Sequence, residues 1–160
     1  MADIQYNFIN LPSRIEFENG HVISYLYDAD GIKLRTTHII GSDTTVTDYC
    51  GNVIYENGIP VKLLTEAGYV TLADSKYHYF VQDHLGNNRV VVDQSGNVEE
   101  VNHYYPFGGL LSSSVSNAVQ PYKYNGKELD RKNGLDWYDY GACMYDAALG
   151  RWHAVDPMSE

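Results

Sequence analysis

Residues 79–98 read YFVQDHLGNNRVVVDQSGNV, and this stretch decides the fold class. It holds the pattern D-x-x-G-N twice, at Asp83–Asn87 and Asp93–Asn97, with Arg89-Val90-Val91-Val92 between the copies and Tyr77-His78-Tyr79-Phe80-Val81 before the first. Asp at the first position of a type I turn accepts hydrogen bonds from the turn's own backbone. Gly at the fourth position takes the left-handed conformation that a bulged return strand needs. The β-branched and aromatic residues on either side are strand formers. The segment therefore predicts consecutive antiparallel hairpins.

The same pattern recurs upstream at Asp28–Gly31, between Ile23-Ser24-Tyr25-Leu26-Tyr27 and Ile32–Thr37, and at Asp48–Gly51. Asp28, Gly31, Asp48, Gly51, Asp83, Gly86, Asp93 and Gly96 are thus the expected structural turn residues. Asn-Gly pairs at Asn19-Gly20, Asn57-Gly58, Asn125-Gly126 and Asn133-Gly134 add further reversals. No window has convincing helical periodicity. The expected fold is all-β, consecutive antiparallel hairpins forming a curved or spiralling sheet with little helix. Residues 1–103 form the repeat-like part. A Pro/Gly turn region at His103–Gly109 and a polar loop at 111–117 open a more individual part, 104–160.

Composition narrows the function. The 160 residues carry 11 basic and 21 acidic side chains, a formal charge of −10, with no basic run, which argues against nucleic acid or an anionic membrane as the main partner. No apolar run approaches the roughly 18 residues that cross a bilayer, and the N-terminus has no signal-peptide pattern. Tyrosine is the outlier, 15 residues against 4 Phe and 2 Trp. On a strand its ring covers a neighbour while the hydroxyl reaches a backbone group or water; filling a sandwich core is the alternative use.

The stretch 79–98, with Tyr25, Tyr27, Asp28, Gly31 and Lys33, resembles the YD repeats of RHS proteins. HYYPFG (103–108), YKYNGKELD (122–130) and above all NGLDWYDYGACMYDAALGRWHAVDPM (133–158) are similar to the RHS repeat-associated core in its Bacteroidetes-type style. The resemblance implies strands that spiral into a hollow shell, a core segment that closes it, and in many members a variable C-terminal toxin released by aspartate-dependent autoproteolysis. The chain ends four residues past Asp156, short of where that cut lies in the family, and Cys143 stands where the motif usually has Arg.

The expected function is accordingly a structural, non-catalytic shell segment that encloses or presents a C-terminal toxin. Its partners would be neighbouring shell segments or its own copies, joined through strand edges, within a longer secreted or cell-surface protein. A carbohydrate- or cell-surface-binding module is the alternative, with Tyr104, Tyr105, Trp137 and Tyr138, and also Tyr77 and Tyr79, as stacking faces. A truncated self-cleaving aspartate protease core is the third, with Asp156, Asp146 and Arg151 as its remnant. Two carboxylates held together can share a proton and activate water. The structural reading of the same residues has Asp146 opening a turn and Arg151 pairing with it.

No cofactor and no metal are expected. A calcium loop opening at Asp28 would need Gly at 33 and Glu at 39, where Lys33 and Ile39 stand. His78, His103 and His153, each flanked by aromatics, read as ordinary strand histidines, and Asp83-His84 as a solvated turn. Ser112-Ser113-Ser114 lacks a nucleophile context, and Cys143 reads as a small buried apolar residue. The spacing of Cys50 and Cys143 leaves their pairing open.

Overall fold

The computed structural model describes residues 3–115 and 120–154. Eleven strands run in chain order: β1 (Asp3–Tyr6), β2 (Pro12–Glu16), β3 (Val22–Tyr27), β4 (Lys33–Ile40), β5 (Asp43–Cys50), β6 (Val53–Glu56), β7 (Ile59–Thr65), β8 (Gly68–Thr71), β9 (Lys76–Gln82), β10 (Asn88–Asp93) and β11 (Val98–Val101). Each pairs antiparallel with its sequence neighbours, giving one sheet ordered β1 to β11 without a crossover. Four short strands, β12 (Glu128–Asp130), β13 (Trp137–Asp139), β14 (Met144–Asp146) and β15 (Arg151–Trp152), make a second antiparallel sheet. Among the described residues, helix is confined to single 3-10 turns at Tyr124–Gly126 and Lys132–Gly134.

The turns account for the meander. Asp28 Oδ1 accepts from the backbone N–H of Asp30 at 2.9 Å and Ile32 at 2.8 Å, with Gly31 at φ +82°. Asp83 and Asp93 repeat this geometry, and the Asn that follows each glycine donates its side-chain amide back to the second carboxylate oxygen, at 2.9 Å from Asn87 and 2.8 Å from Asn97. These bonds to the ionised form hold both carboxyls below their ordinary pKa. The register slips by one residue at each reversal, the signature of a bulge.

Asp48–Gly51 departs from the expectation. β5 continues through Asp48 to Cys50, Cys50 pairs with Val53, and the reversal is the two-residue Gly51-Asn52, with Gly51 at φ +63°. Asp48 turns its carboxylate to Arg35 on β4 instead. Ladders on both sides of β5 keep the segment extended, so its Asp never opens a turn.

One face of the large sheet is buried, with Ile15, Ile23, Tyr25, His38, Ile54, Tyr69, His78, Val91 and Glu100 all below a tenth exposed. The sheet curves around that face. Lys123 contacts Glu100 on β11 while Asp130, seven residues on, contacts Tyr25 on β3. In a flat sheet, strands eight steps apart lie about 38 Å from each other, whereas the plug segment between the two contacts doubles back, Leu129 N–H donating to the Pro121 carbonyl at 2.9 Å, and spans far less. The 120–152 region therefore sits inside the bend as a plug against a wall. Its apolar anchor joins Trp137, Leu135 and Met144 to Ile15, Ile23 and Tyr25 of the wall.

Candidate functional site

Much of the contact between wall and plug is polar. At the start of β4, Lys33 Nζ lies 2.7 Å from Glu128 on β12 and 2.7 Å from Asp139 on β13. Those two acids are direct cross-strand partners, a like-charge pairing that costs stability unless a cation joins them. Burial works against the charge on Lys33, but Glu128, Tyr49 and Asp139 together outweigh it, and its pKa rises. Tyr49 donates to the other oxygen of Glu128 at 2.7 Å, and Lys33 lies 4.7 Å from the centre of the Tyr49 ring.

Two residues further along β12, Asp130 accepts from Tyr25 at 3.0 Å and faces His38 Nε2 at 2.9 Å. Burial would raise the Asp130 pKa, but the His38 ring, the Lys132 backbone N–H and the Tyr25 hydroxyl hold it below the ordinary carboxylate range. At the other end of the bend, Glu100 on β11 meets Lys123, with both side chains almost wholly buried (1% and 2% exposed). Gln120 and Asn102 also donate to Glu100 Oε1. Burial lowers the Lys123 pKa, and Glu100 offsets part of that. Asn87 and Asn88 complete the seam: Asn87 Oδ1 accepts from Asn125 N–H at 2.8 Å, and Asn88 donates to the Tyr122 carbonyl at 2.7 Å.

Between the inner face of β5–β7 and the plug segment 120–132 lies a cavity of about 390 Å³, whose lining includes His38, Tyr49, Lys62, Gln120, Tyr122 and Asp130. No cluster of three or more potential metal ligands occurs among the described residues.

Of the residues singled out for chemistry, Asp146 and Arg151 are the two among the described residues, and their side chains do not pair with each other. Asp156 lies outside the described residues. Asp146 Oδ1 caps its own turn through the N–H groups of Ala148 and Leu149. Arg151 is its cross-strand neighbour in register, but its exposed side chain makes no ion pair with Asp146; His153 Nε2, at 3.8 Å, stands there instead. The two cysteines form no disulfide with each other; Cys50 is exposed and Cys143 buried.

The proposed stacking platform is corrected in part. Trp137 and Tyr138 are 2% and 0% exposed; Trp137 packs into the anchor cluster, and Tyr138 donates to the Gly108 carbonyl at 2.9 Å. Neither ring has a face left for a ligand. Tyr104 is half-buried and donates to the Asn88 carbonyl, while Tyr105, Tyr77 and Tyr79 are exposed. The seam residues Lys33, Glu100, Lys123, Glu128 and Asp139 were invisible as a set in the sequence. Lys33 and its partners Glu128 and Asp139 lie about a hundred positions apart and carry no shared spacing signal.

No protein-family model matches the chain. It is 29% identical over 92% of its length to salivary gland surface protein 1 of Aedes aegypti, and 30% identical over 69% to toxin subunit YenC1 of Yersinia entomophaga. It spans only 5% and 13% of those relatives. Among solved structures it resembles TcdB2-TccC3 without the hypervariable C-terminal region (TM-score 0.76, 19% identity, 97% of this chain and 9% of that one). It also resembles a Tc holotoxin pore of Photorhabdus luminescens (TM-score 0.80, 18% identity, 98% and 9%). The chain thus has the all-β, RHS-shell type of fold, and its sequence relatives include the toxin subunits YenC1 and YenC2 of Yersinia entomophaga.

Proposed function

We propose that this chain is a segment of an RHS-type β-shell, without catalytic turnover of its own. Residues 1–103 supply wall strands, and 104–160 belong to a Bacteroidetes-type RHS repeat-associated core that ends near its Asp156-Pro157 motif. In a longer secreted or cell-surface protein the shell encloses or presents a polymorphic C-terminal toxin or effector. The observation that carries this reading is the bend: an uninterrupted eleven-strand meander wraps its buried face around the plug, while β1 ends the sheet with no further strand beside it among the described residues. An unpaired edge offers a row of backbone donors and acceptors for the next wall segment or another copy. Similarity to Tc toxin subunits many times its length supports the same view.

Two measurements test it. Sedimentation of the 160-residue chain should show self-association that rises with concentration and protects β1 amides from hydrogen exchange. In the longer polypeptide, a C-terminal cargo should resist protease until the wall is unfolded. A strict monomer with freely exchanging β1 amides, together with cargo cleaved at the same rate before and after unfolding, refutes the reading.

A further inference from the structure

Where β11 meets the plug, one carboxylate oxygen gathers an amine and a carboxamide. Glu100 Oε1 accepts from Lys123 Nζ and from Asn102 Nδ2, each at 2.5 Å, so the two nitrogens are neighbours held by a single atom. All three side chains are sealed from solvent: Lys123 is 2% exposed, Glu100 1% and Asn102 0%. Asn102 Oδ1 is buried as well and has no hydrogen-bond partner, which is rare for a polar atom in a native interior.

An amine beside a carboxamide is a nucleophile beside an acyl group, and it attacks only when neutral. Burial lowers the Lys123 pKa; Glu100 offsets part of this, while Arg131 and Lys62 push it further down. Lys33 is the contrast within the same seam. There Glu128, Tyr49 and Asp139 outweigh burial and hold the side chain as a cation between two carboxylates, which are poor acyl groups. Glu100 Oε1 touches both reacting nitrogens, the position of a base that takes a proton from one and an acid that returns it to the other. Gln120 reaches the same oxygen from 3.1 Å and is the competing acyl group.

We propose that Lys123 and Asn102 join in an amide crosslink, a single self-modification in which Glu100 is the catalytic residue. The Lys123 Nζ–Asn102 Cγ bond forms, the Asn102 Cγ–Nδ2 bond breaks, and Nδ2 departs as ammonia. Of the three ammonium protons, one stays on the new amide, one passes through Glu100 to the departing nitrogen, and one remains on the Glu100 carboxyl. Charge balances, since the ion pair becomes two neutral groups. The product holds no buried charge at this point, and the Glu100 hydroxyl becomes a donor beside the formerly unpaired Oδ1. The link closes the chain between 102 and 123 and ties the end of β11 to the plug, removing freedom from the unfolded chain. The ion pair of the seam is the state before this step, and the step is independent of what a shell encloses.

The test is peptide mapping of the 160-residue chain, folded, aged to constant mass, then denatured and digested with trypsin. An unlinked chain is cut after Arg89 and after Lys123 and releases 90–123. A linked chain resists at Lys123 and releases 90–127 as a looped peptide lighter by one ammonia, with fragmentation placing the link at Lys123 and Asn102. A succinimide at an Asn-Gly pair also loses ammonia but leaves Lys123 cleavable. Glu100→Gln and Asn102→Ser, each checked for cooperative unfolding, should release 90–123 in full. The proposal is overturned if the aged parent chain itself releases 90–123 in full, a result that depends on no variant. It is equally overturned if the link ends on Gln120, or if a cooperatively folded Glu100→Gln chain links as completely as the parent.

Discussion

Replacing Lys123 with Met separates the part of the wall–plug seam that rests on charge from the part that rests on shape. Lys123 and Glu100 are 2% and 1% exposed, so the substitution keeps most of the buried volume but takes away the ammonium that Glu100 meets in the interior. The amides of Gln120 and Asn102 remain on Glu100 Oε1, yet neither neutralises it. Breaking a buried pair on one side costs about 3–5 kcal/mol, whereas removing both charges can be close to neutral. A domain of this size has about 5–15 kcal/mol in all, so Lys123→Met should move the urea midpoint far to the left. Adding Glu100→Gln, which removes the charge and retains an acceptor for both amides, should restore more than half of the loss. The assay is a double-mutant cycle by urea denaturation, followed by tyrosine and tryptophan fluorescence, with the slopes compared to establish that the denatured states match. A Lys123→Met cost below about 1 kcal/mol, or no recovery in the double variant, refutes the reasoning, because a fully desolvated ion pair cannot lose one partner cheaply.

Two further outcomes are expected. Gly68→Ala should destabilise the β8–β9 pairing by several kcal/mol, since its Cβ would fall 1.9 Å from the His78 carbonyl oxygen; the midpoint should drop and β9 amides should exchange faster than those of β3. The chain should also lose stability in acid partly through Asp130, whose folded-state pKa is depressed. Between the folded and unfolded pKa the unfolded chain binds more protons, so stability rises with pH. This contribution is full above the unfolded value of about 3.9 and fades as pH falls through the folded one. Asp130→Asn should flatten that acid limb relative to the parent, and an unchanged slope would remove Asp130 from the account.

How far the sequence could be read depended on whether the bonds involved are local. The Asp28, Asp83 and Asp93 turns are closed by carboxylates bonding backbone two and four residues on, so a four-residue pattern carries them. The same physics works in a disguise the pattern missed. Asn7 accepts from Ile9 and Leu11, with Asn10 at φ +58°, because an Asn side chain offers the same acceptor and Asn tolerates the left-handed position. Asp48 shows the converse. A matching motif was overridden because strands on both sides held the segment extended, and cross-strand pairing is not a local property.

The strand class and the succession of hairpins, with no long helix among the described residues, were legible in the sequence because each is specified by residues within about ten positions of one another. Only the tertiary structure decided what the tyrosines and acids do. Strand periodicity makes Tyr138 and Tyr79 equivalent, yet Tyr138, inside the plug, is sealed against the Gly108 carbonyl and the Tyr124 ring, while Tyr79 stays exposed on the wall face opposite buried His78. Glu100, Glu128 and Asp139 look like ordinary solvated acids until the bend brings Lys123 and Lys33 against them. Curvature is a sum of small twists and bulges over eleven strands, and no single residue encodes it. The pairs that depend on that sum become visible only once the sheet has closed around the plug.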